Sequence, residues 1–264
     1  MLNISPIALR LGPLNIRWYA ILIALGIAIG ILMSCKEAKK IAFSRDVIID
    51  FVIYTLPLGF LGARLYYVIF NFSYYLANPA EIFALWHGGL AIYGGLITSI
   101  VCLFFFCKKR KLSFLKFLDI LTPSVLMAQI IGRWGNFFNQ EAHGFTTTKS
   151  FLHSTLHLPN FIVEGMNIDG IYYQPTFLYE SLWNLLGLLL ILLLRHWKDF
   201  YCEGEIFWQY VAWYAFGRFF IESLRSDSLM IFNKIHISQA LSFIFFFLAL
   251  FYLLQKTNRK ALKK

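Results

Sequence analysis

Charged residues are scarce in this sequence, and their scarcity argues against a soluble globular protein. Only 14% of the 264 residues are Asp, Glu, Lys or Arg, whereas 59% are hydrophobic. A soluble domain typically carries about a quarter charged residues and about half apolar ones. A folded chain of this size could not bury so many apolar side chains and still present a polar surface. The composition therefore predicts an integral membrane protein.

Motifs for disulfides and metals are also absent. The four cysteines, Cys35, Cys102, Cys107 and Cys202, show neither CxxC nor CxxH spacing, so we expect no disulfide framework and no metal site. A continuous basic patch is missing as well. The net charge is +10, but Lys and Arg occur in short runs between apolar segments. That distribution does not suit a nucleic-acid surface, and we expect no nucleic-acid partner.

Seven apolar stretches are long enough to cross a bilayer as helices, for which about 20 residues are needed. They cover residues 18–34, 47–70, 90–107, 114–131, 177–194, 206–221 and 237–254. The fourth and sixth are the least uniform, because charged and amide side chains interrupt them. The expected fold is an all-α polytopic membrane protein with about seven transmembrane helices, in a single domain of residues 1–264.

The distribution of Lys and Arg predicts how these helices are oriented. The connection between the second and third stretches, residues 71–89, contains neither, whereas the connections after the first, third, fifth and seventh stretches are basic. Positively charged loops remain on the cytoplasmic side of a membrane. An external N-terminus and a cytoplasmic C-terminus satisfy all of these loops together. The longest connection, roughly residues 132–176, is then external and is predicted to form a small cap.

Polar side chains cluster near the predicted outer ends of the helices. Such groups are rare at membrane depth and usually face a protein interior or a wet cavity. They include Arg64, Arg133, Asn136, Asn139, Glu141, Glu180, Arg218, Glu222 and Arg225. Two arginines from different helices can grip one phosphate with forked donors. The pattern indicates an outward-facing polar cavity suited to an anion.

Several of these residues also have a purely structural interpretation. An arginine near a helix end can snorkel to lipid headgroups. Arg218 and Glu222, four residues apart, can form an ion pair that only stabilises their helix. Asn136 and Asn139 can cap helix carbonyls.

A glycine-rich segment, WHGGLAIYGGLI, covers residues 86–97 at the start of the third stretch. Its small residues suit close packing of neighbouring helices. Alternatively, Gly94 and Gly95 open space beside Tyr93, whose phenol can donate or accept a proton. Both interpretations stay open at the level of the residues.

The segment GRWGNFFNQE, residues 132–141, closely resembles the signature of bacterial prolipoprotein diacylglyceryl transferases, G-R-x-G-N-F-x-N-x-E. Further segments resemble the same family in the same order, namely RWYA, LGARLYYVIFN, GGLAIYGGLI, QPTFLYE, GRFFIESLRSD and ISQALS. The resemblance extends over essentially the whole chain.

This resemblance implies transfer of the diacylglyceryl group of phosphatidylglycerol to the lipobox cysteine of a prolipoprotein, the first step of bacterial lipoprotein maturation. A thioether forms and glycerol phosphate leaves, without a metal or other cofactor. The implied partners are phosphatidylglycerol, the prolipoprotein signal peptide and membrane lipid. The implied location is the bacterial cytoplasmic (inner) membrane, with the active site toward the outer leaflet. The alternative is a transporter or channel for an anionic solute, which buried arginines and glycine-rich helices would also suit.

The resemblance also implies a set of site residues. Arg133 and Arg218 match the two essential arginines of the family and would act on the phosphate, with Tyr93 and Glu141 as further catalytic candidates. The implied phosphatidylglycerol-binding residues are Tyr19, Gly94, Gly95, Arg133, Asn136, Asn139, Glu141, Arg218 and Glu222.

The base that would activate the thiol is left open. Some family members carry a histidine where this chain has Tyr93. The candidates are Tyr93, Glu141 and direct activation of the thiol by the cationic cavity, with His87 as a substitute. This chain departs from the family pattern again at Gln174, where many members have histidine, and before Asp227, where a proline is missing.

Overall fold

The structure is a computed structural model that describes residues 5–12, 14–40, 43–84, 88–197, 203–226, 230–231 and 235–261. Within these residues, seven long helices coincide with the seven predicted stretches. They are α1 (Trp18–Lys40), α2 (Arg45–Phe70), α4 (Ile92–Arg110), α5 (Phe114–Asn139), α7 (Thr176–Trp197), α8 (Glu205–Glu222) and α9 (Ile237–Ala261). Two short helices, α3 (Phe72–Ala77) and α6 (Asn160–Gly165), lie in connections between them.

Six of the long helices are long and apolar enough to cross a membrane, namely α1, α2, α4, α5, α7 and α9. Among the described helices, α8 falls outside this group because Gln209, Arg218 and Glu222 interrupt its apolar residues. The chain is therefore a helical, polytopic membrane protein, as the composition predicts.

The prediction of an all-α fold is incomplete, because short antiparallel strands lie outside the long helices. Strands β1 (Ile7–Leu11) and β2 (Leu14–Arg17) form a hairpin before α1. Strands β3 (Thr146–Thr147), β4 (Asn167–Ile168) and β5 (Ile171–Tyr173) form a sheet in the order β3-β5-β4. Strands β6 (Met230–Ile231) and β7 (Ile235–His236) pair before α9. Segments this short leave no periodic signal that a hydropathy pattern can detect.

The chain divides into two compact units. The first unit comprises Met1–Met33 and Leu121–Lys264, and the second comprises Ser34–Ile120. Helices α1 and α5 each contribute residues to both units.

In the second unit, α2 and α4 pack closely through glycine. A Cβ at Gly94 would collide with the carbonyl of Gly62 and with the side chain of Tyr66. Only glycine therefore allows this approach of the two backbones. The structure supports the packing interpretation of Gly94.

Arg64 in α2 holds the connection that leads to α4. Its side chain donates hydrogen bonds to the carbonyls of Glu81 at 2.5 Å, Ile82 at 2.9 Å, Gly88 at 2.6 Å and Gly89 at 3.0 Å. The residue is only 6% exposed. Arg64 therefore neither snorkels to headgroups nor presents a free charge, because backbone carbonyls occupy its donors.

In the first unit, a pair of tryptophans sets the register of α7 and α8. The rings of Trp183 and Trp213 stack at 4.2 Å, and each Nε1 donates to the carbonyl of the other residue at 3.0 Å. Gly187 and Gly217 leave the space that the two rings occupy. This reciprocal contact fixes which residues of the two helices lie opposite each other.

The connection between α5 and α7 forms a small folded cap with its own apolar core. Its strands β4 and β5 are joined by a tight turn in which Asp169 and Gly170 have φ of 50° and 86°, values that favour an Asp-Gly pair. The core consists of Phe137, Leu152, Ile162, Val163, Met166 and Phe177.

Helix α5 runs to Asn139, whereas the sequence predicted that the span would end at Ile131 and that the cap would begin at residue 132. The physical reason is that Phe137, near the helix end, is buried in the cap core. Arg133 and Asn136 consequently project from a helix and not from a loop.

Candidate active site

The last turns of α5 present polar side chains that converge on one carboxylate. Nδ2 of Asn136 donates to Oε1 of Glu141 at 3.2 Å, and Nδ2 of Asn139 donates to the same oxygen at 3.1 Å. Nη1 of Arg133 lies 3.5 Å from Oδ1 of Asn136, at the limit of a hydrogen bond. The two asparagine amides therefore orient Glu141 instead of capping helix carbonyls.

Glu180 in α7 connects the two arginines of the site. Its Oε1 lies 2.5 Å from Nη2 of Arg133, and its Oε2 lies 3.0 Å from Nη1 of Arg218. The hydroxyl of Tyr214 donates to Oε1 at 3.4 Å. The sequence predicts Glu180 as one of the polar groups of the outward-facing cavity, but the resemblance to the family does not imply it as a site residue. Its position in an apolar helix is a signal that could have identified it, because a carboxylate at that depth needs a cationic partner.

Arg218 has a second carboxylate partner on its own helix. Its Nη2 lies 2.5 Å from Oε2 of Glu222, four residues further along α8. The predicted ion pair is therefore present, and it extends to a third residue, Glu180. Two guanidiniums and two carboxylates compensate one another here, which reduces the cost of placing them in a poorly hydrated interior.

The cluster is largely shielded from solvent but not closed. The side chain of Glu180 is 4% exposed, whereas those of Arg133 and Arg218 are 22% and 13% exposed. The two oxygens of the Glu180 carboxylate already span both guanidiniums. The separation of the guanidiniums therefore also suits two oxygens of another anion, such as a phosphate. Guanidiniums bind carboxylate and phosphate oxygens with similar directed bonds.

Tyr19 at the start of α1 packs directly against α5. A Cβ at Gly135 would lie 2.5 Å from Cδ2 of the Tyr19 ring, so only glycine leaves room for the ring. The phenol is close enough to Glu141 and Arg133 to interact with both electrostatically. Gly132, by contrast, faces open space, with nothing within 4 Å of a Cβ placed there.

The segment that follows Glu141 joins the beginning of α7 to the end of α8. The Gly144 amide donates to the Gln174 carbonyl at 2.9 Å, and the Phe145 amide donates to the Leu224 carbonyl at 3.0 Å. A Cβ at Gly144 would lie 2.8 Å from the Gln174 side chain. These bonds hold the Glu141 backbone beside the helices that carry Glu180 and Arg218.

His143 in this segment has structural partners. Its Nδ1 lies 3.2 Å from Oγ of Ser226, and its ring packs on Tyr173 with a centroid distance of 4.0 Å. These contacts suit an ordinary hydrogen-bonding histidine.

Three of the predicted site residues lie in the second unit and not in the unit that holds this cluster. Tyr93, Gly94 and Gly95 belong to the second unit, where Tyr93 is 46% exposed at the start of α4. Their roles at the site stay predictions. His87 and Asp227 lie outside the described residues.

The donors that converge in the first unit are guanidiniums and side-chain amides, which bind anions. Among the described residues, no group of three His, Cys, Asp or Glu side chains is arranged to hold a metal ion.

Comparison with known proteins places this arrangement in a family. The family model for prolipoprotein diacylglyceryl transferase matches residues 6–255. A phosphatidylglycerol–prolipoprotein diacylglyceryl transferase of Lactobacillus gasseri is 52% identical over 262 residues, which is 99% of this chain and 93% of that protein. The protein of the same name from Enterococcus faecalis is 50% identical over 261 residues, 99% of this chain and 94% of its own length. The one from Listeria welshimeri is 48% identical over 247 residues, with 94% and 88% covered.

These matches confirm the resemblance predicted from the ordered motifs, and nothing in them favours a transporter or channel. They extend across all the helices that carry the arginine–glutamate cluster, so the cluster belongs to the shared part of the chain. This chain is therefore a member of the prolipoprotein diacylglyceryl transferase family.

Proposed function

We propose that this chain transfers the diacylglyceryl group of phosphatidylglycerol to the lipobox cysteine of a prolipoprotein. The names of its relatives specify phosphatidylglycerol and prolipoprotein as the reactants. The structural observation that carries the proposal is the single carboxylate of Glu180 bridging Arg133 and Arg218, which come from separate helices.

In the proposed reaction, the cysteine sulfur attacks the carbon of the diacylated glycerol that is esterified to the phosphate, and not the carbon of the headgroup glycerol. A carbon–sulfur bond forms, the carbon–oxygen bond to phosphate breaks, and its electrons remain on glycerol phosphate. The phosphodiester carries one negative charge, and the departing monoester gains another as the bond breaks. Cationic donors beside that phosphate therefore stabilise the transition state more than the bound substrate.

Arg133 and Arg218 are the donors that suit this role. Each guanidinium has five N–H groups in a planar fork. Glu180 engages one terminal nitrogen of each, and Glu222 engages the other terminal nitrogen of Arg218, which still leaves N–H groups on both guanidiniums for phosphate oxygens. Glu180 thus acts as a positioning residue that holds both forks in place before the lipid arrives.

The headgroup glycerol of phosphatidylglycerol carries hydroxyls that need acceptors. Glu141 offers Oε2, since its Oε1 already accepts from Asn136 and Asn139. We assign these three residues to the headgroup, with Tyr19 and Glu222 as supporting members. Gly94 and Gly95 are proposed to leave space for the lipid, as the family pattern implies.

Three routes for the thiol proton can be separated by mutation. Tyr93→Phe would abolish transfer if the phenol takes the proton, and Glu141→Gln would do so if the carboxylate takes it. If the guanidiniums alone stabilise the thiolate, both variants retain turnover. In that case Arg133→Lys should raise the apparent pKa of the thiol, read from the pH profile of transfer. The pH dependence of transfer under limiting lipobox peptide distinguishes these results.

The membrane arrangement belongs to the same proposal. Helix α8 is proposed as a seventh span, because Arg218 and Glu222 are paired within the protein and need not face lipid. The N-terminus, the cap and the active site would face outward from the bacterial cytoplasmic membrane, with the C-terminus inside. Labelling single cysteines in the cap and in the basic loops of sealed cells tests this orientation.

The decisive experiment uses purified protein in detergent, phosphatidylglycerol and a lipobox peptide. We expect release of glycerol phosphate only when the peptide is present, with a matching thioether product. Arg133→Ala and Arg218→Ala should abolish release, whereas Arg45→Ala, an exposed arginine at the start of α2, should not. Uptake of an anionic solute into liposomes without lipid turnover would overturn the proposal.

A further inference from the structure

A groove between α2 and α4 is large enough for a ligand and takes no part in the site described above. Its volume is about 560 Å³, within the usual range for ligand cavities of roughly 300–1,000 Å³. Leu58, Val101 and Phe105 contribute much of its wall. All of its lining residues belong to the second unit, so the groove is a property of that unit alone.

One polar group inside the groove lacks a partner. Thr55 lines the cavity and is only 8% exposed, and among the described residues nothing hydrogen-bonds its Oγ1. A buried hydroxyl without a partner is costly, and native proteins usually satisfy it. The Oγ1 atom is itself covered in this structure, so rotation of the Thr55 side chain toward the cavity would let a ligand oxygen accept from the hydroxyl and remove that cost.

The mouth of the groove is cationic. Lys109 and Arg110 form its edge in the last turn of α4. Arg110 lies 2.5 Å from Asp50 and packs over the ring of Phe106 at 5.6 Å, so its position is defined. Lys109 is exposed and has no ion-pair partner among the described residues. Two cations and one carboxylate leave a net positive charge at the mouth.

The spacing of these features matches a phospholipid. Asp50 marks the level of Arg110 on α2, and Thr55 lies five residues further along the helix, which corresponds to about 7.5 Å. A phosphate at the mouth would therefore place an ester carbonyl near Thr55 and an acyl chain along the apolar wall. Basic residues beside a membrane surface favour anionic over zwitterionic headgroups.

We infer that this groove binds one anionic phospholipid. Its phosphate contacts Lys109 and Arg110, its ester carbonyl accepts from the Thr55 hydroxyl, and one acyl chain lies against Leu58 and Val101. This inference does not depend on the transfer reaction, because it concerns binding at a different set of side chains.

Native mass spectrometry of the full chain in detergent tests the inference. The probes are phosphatidylserine and phosphatidylcholine with identical acyl chains, added in turn. We expect phosphatidylserine to be retained about fivefold more strongly, the preference that one basic residue near a membrane surface confers. Lys109→Gln should remove this preference, and Thr55→Val should weaken retention of both lipids.

Matched controls separate this groove from other binding. Val101→Trp should fill the groove and lower retention of both lipids, whereas Ile100→Trp, at an equally exposed position of the same helix outside the groove, should not. Lys108→Gln should keep the preference that Lys109→Gln loses. Equal retention of the two lipids by the unmodified protein would overturn the inference. So would a preference that survives Lys109→Gln and Val101→Trp, since the lipid would then bind elsewhere.

Discussion

Replacing Glu180 with glutamine tests how much the site depends on one bridging carboxylate. Glutamine keeps the shape of the side chain and one oxygen acceptor, so it can still accept from either Arg133 or Arg218. Its amide group would then point donors at the other guanidinium. The variant therefore loses both ion pairs of Glu180 and keeps at most one of the two contacts as a neutral hydrogen bond, while Glu222 remains as a carboxylate beside Arg218.

The structure sets the size of the expected effect. Glu180 is only 3% exposed, and its two ion-pair distances are 2.5 and 3.0 Å. Removing one partner of a buried pair typically costs about 3–5 kcal/mol. Part of that loss should appear as lower resistance to thermal unfolding. Displacement of a guanidinium by about 1 Å should also reduce kcat by about 100-fold.

The assay is steady-state transfer of diacylglyceryl from phosphatidylglycerol to a lipobox peptide, with thermal unfolding measured in parallel. We expect kcat to fall while KM for the lipid changes little, because Glu180 positions the donors and does not touch the lipid. Glu180→Asp should recover part of the activity by restoring the charge. A fully active Glu180→Gln protein would refute the positioning role.

Glu164→Gln is the matched control for this substitution. Glu164 pairs with Lys149 at 2.7 Å in the cap, where the two side chains are 23% and 57% exposed. Exposed pairs of this kind contribute little to stability. This variant should unfold at nearly the same temperature as the unmodified protein and keep its activity, so the comparison isolates the bridging position of Glu180.

Three further results are expected. Arg218→Lys should lower kcat by about 100-fold in the same transfer assay, because an ammonium cannot contact two carboxylates and a phosphate in one planar geometry. Gly135→Ala should reduce stability by about 1–3 kcal/mol, because its Cβ collides with the tyrosine ring packed there, whereas Gly132→Ala should not; equal unfolding temperatures would contradict this. The Lys149 ammonium lowers the pKa of Glu164 below its ordinary value, so the pair stabilises the cap at neutral pH and loses that effect as the pH falls through the folded pKa. For an exposed pair this stabilisation is small, so the direct test is the pKa of the Glu164 carboxyl followed by NMR. It should rise toward its ordinary value in Lys149→Met, and an unchanged pKa would show that the ammonium is not the source of the shift.

Much of the helical framework could be predicted because it depends on local properties. A run such as residues 18–34 forms a helix in a membrane because its backbone groups must be satisfied within the segment. Helix ends were less predictable, since they depend on contacts with distant residues. Helix α5 continues to Asn139 because Phe137 is buried in the core of a cap that the hydropathy pattern does not describe.

Within the candidate site, residue types were easier to predict than partners. The scarcity of charge in apolar helices singled out Arg133 and Arg218 without a structure. The same reasoning also singles out Arg64, which instead donates to five backbone carbonyls within the second unit. An arginine that clamps a loop and an arginine that faces a cavity have the same local signature, so only their neighbours distinguish them.

By itself, the sequence determined that this protein is helical and lies in a membrane, and its ordered motifs determined the family. Those properties follow from hydrophobicity and residue type, which are additive along the chain. Only the tertiary structure decided that Glu180 joins Arg133 to Arg218 and that a groove with a cationic mouth lies between α2 and α4. Such juxtapositions depend on how helices pack through Trp183, Trp213 and Gly94, and packing distances between remote segments are not encoded in any local pattern.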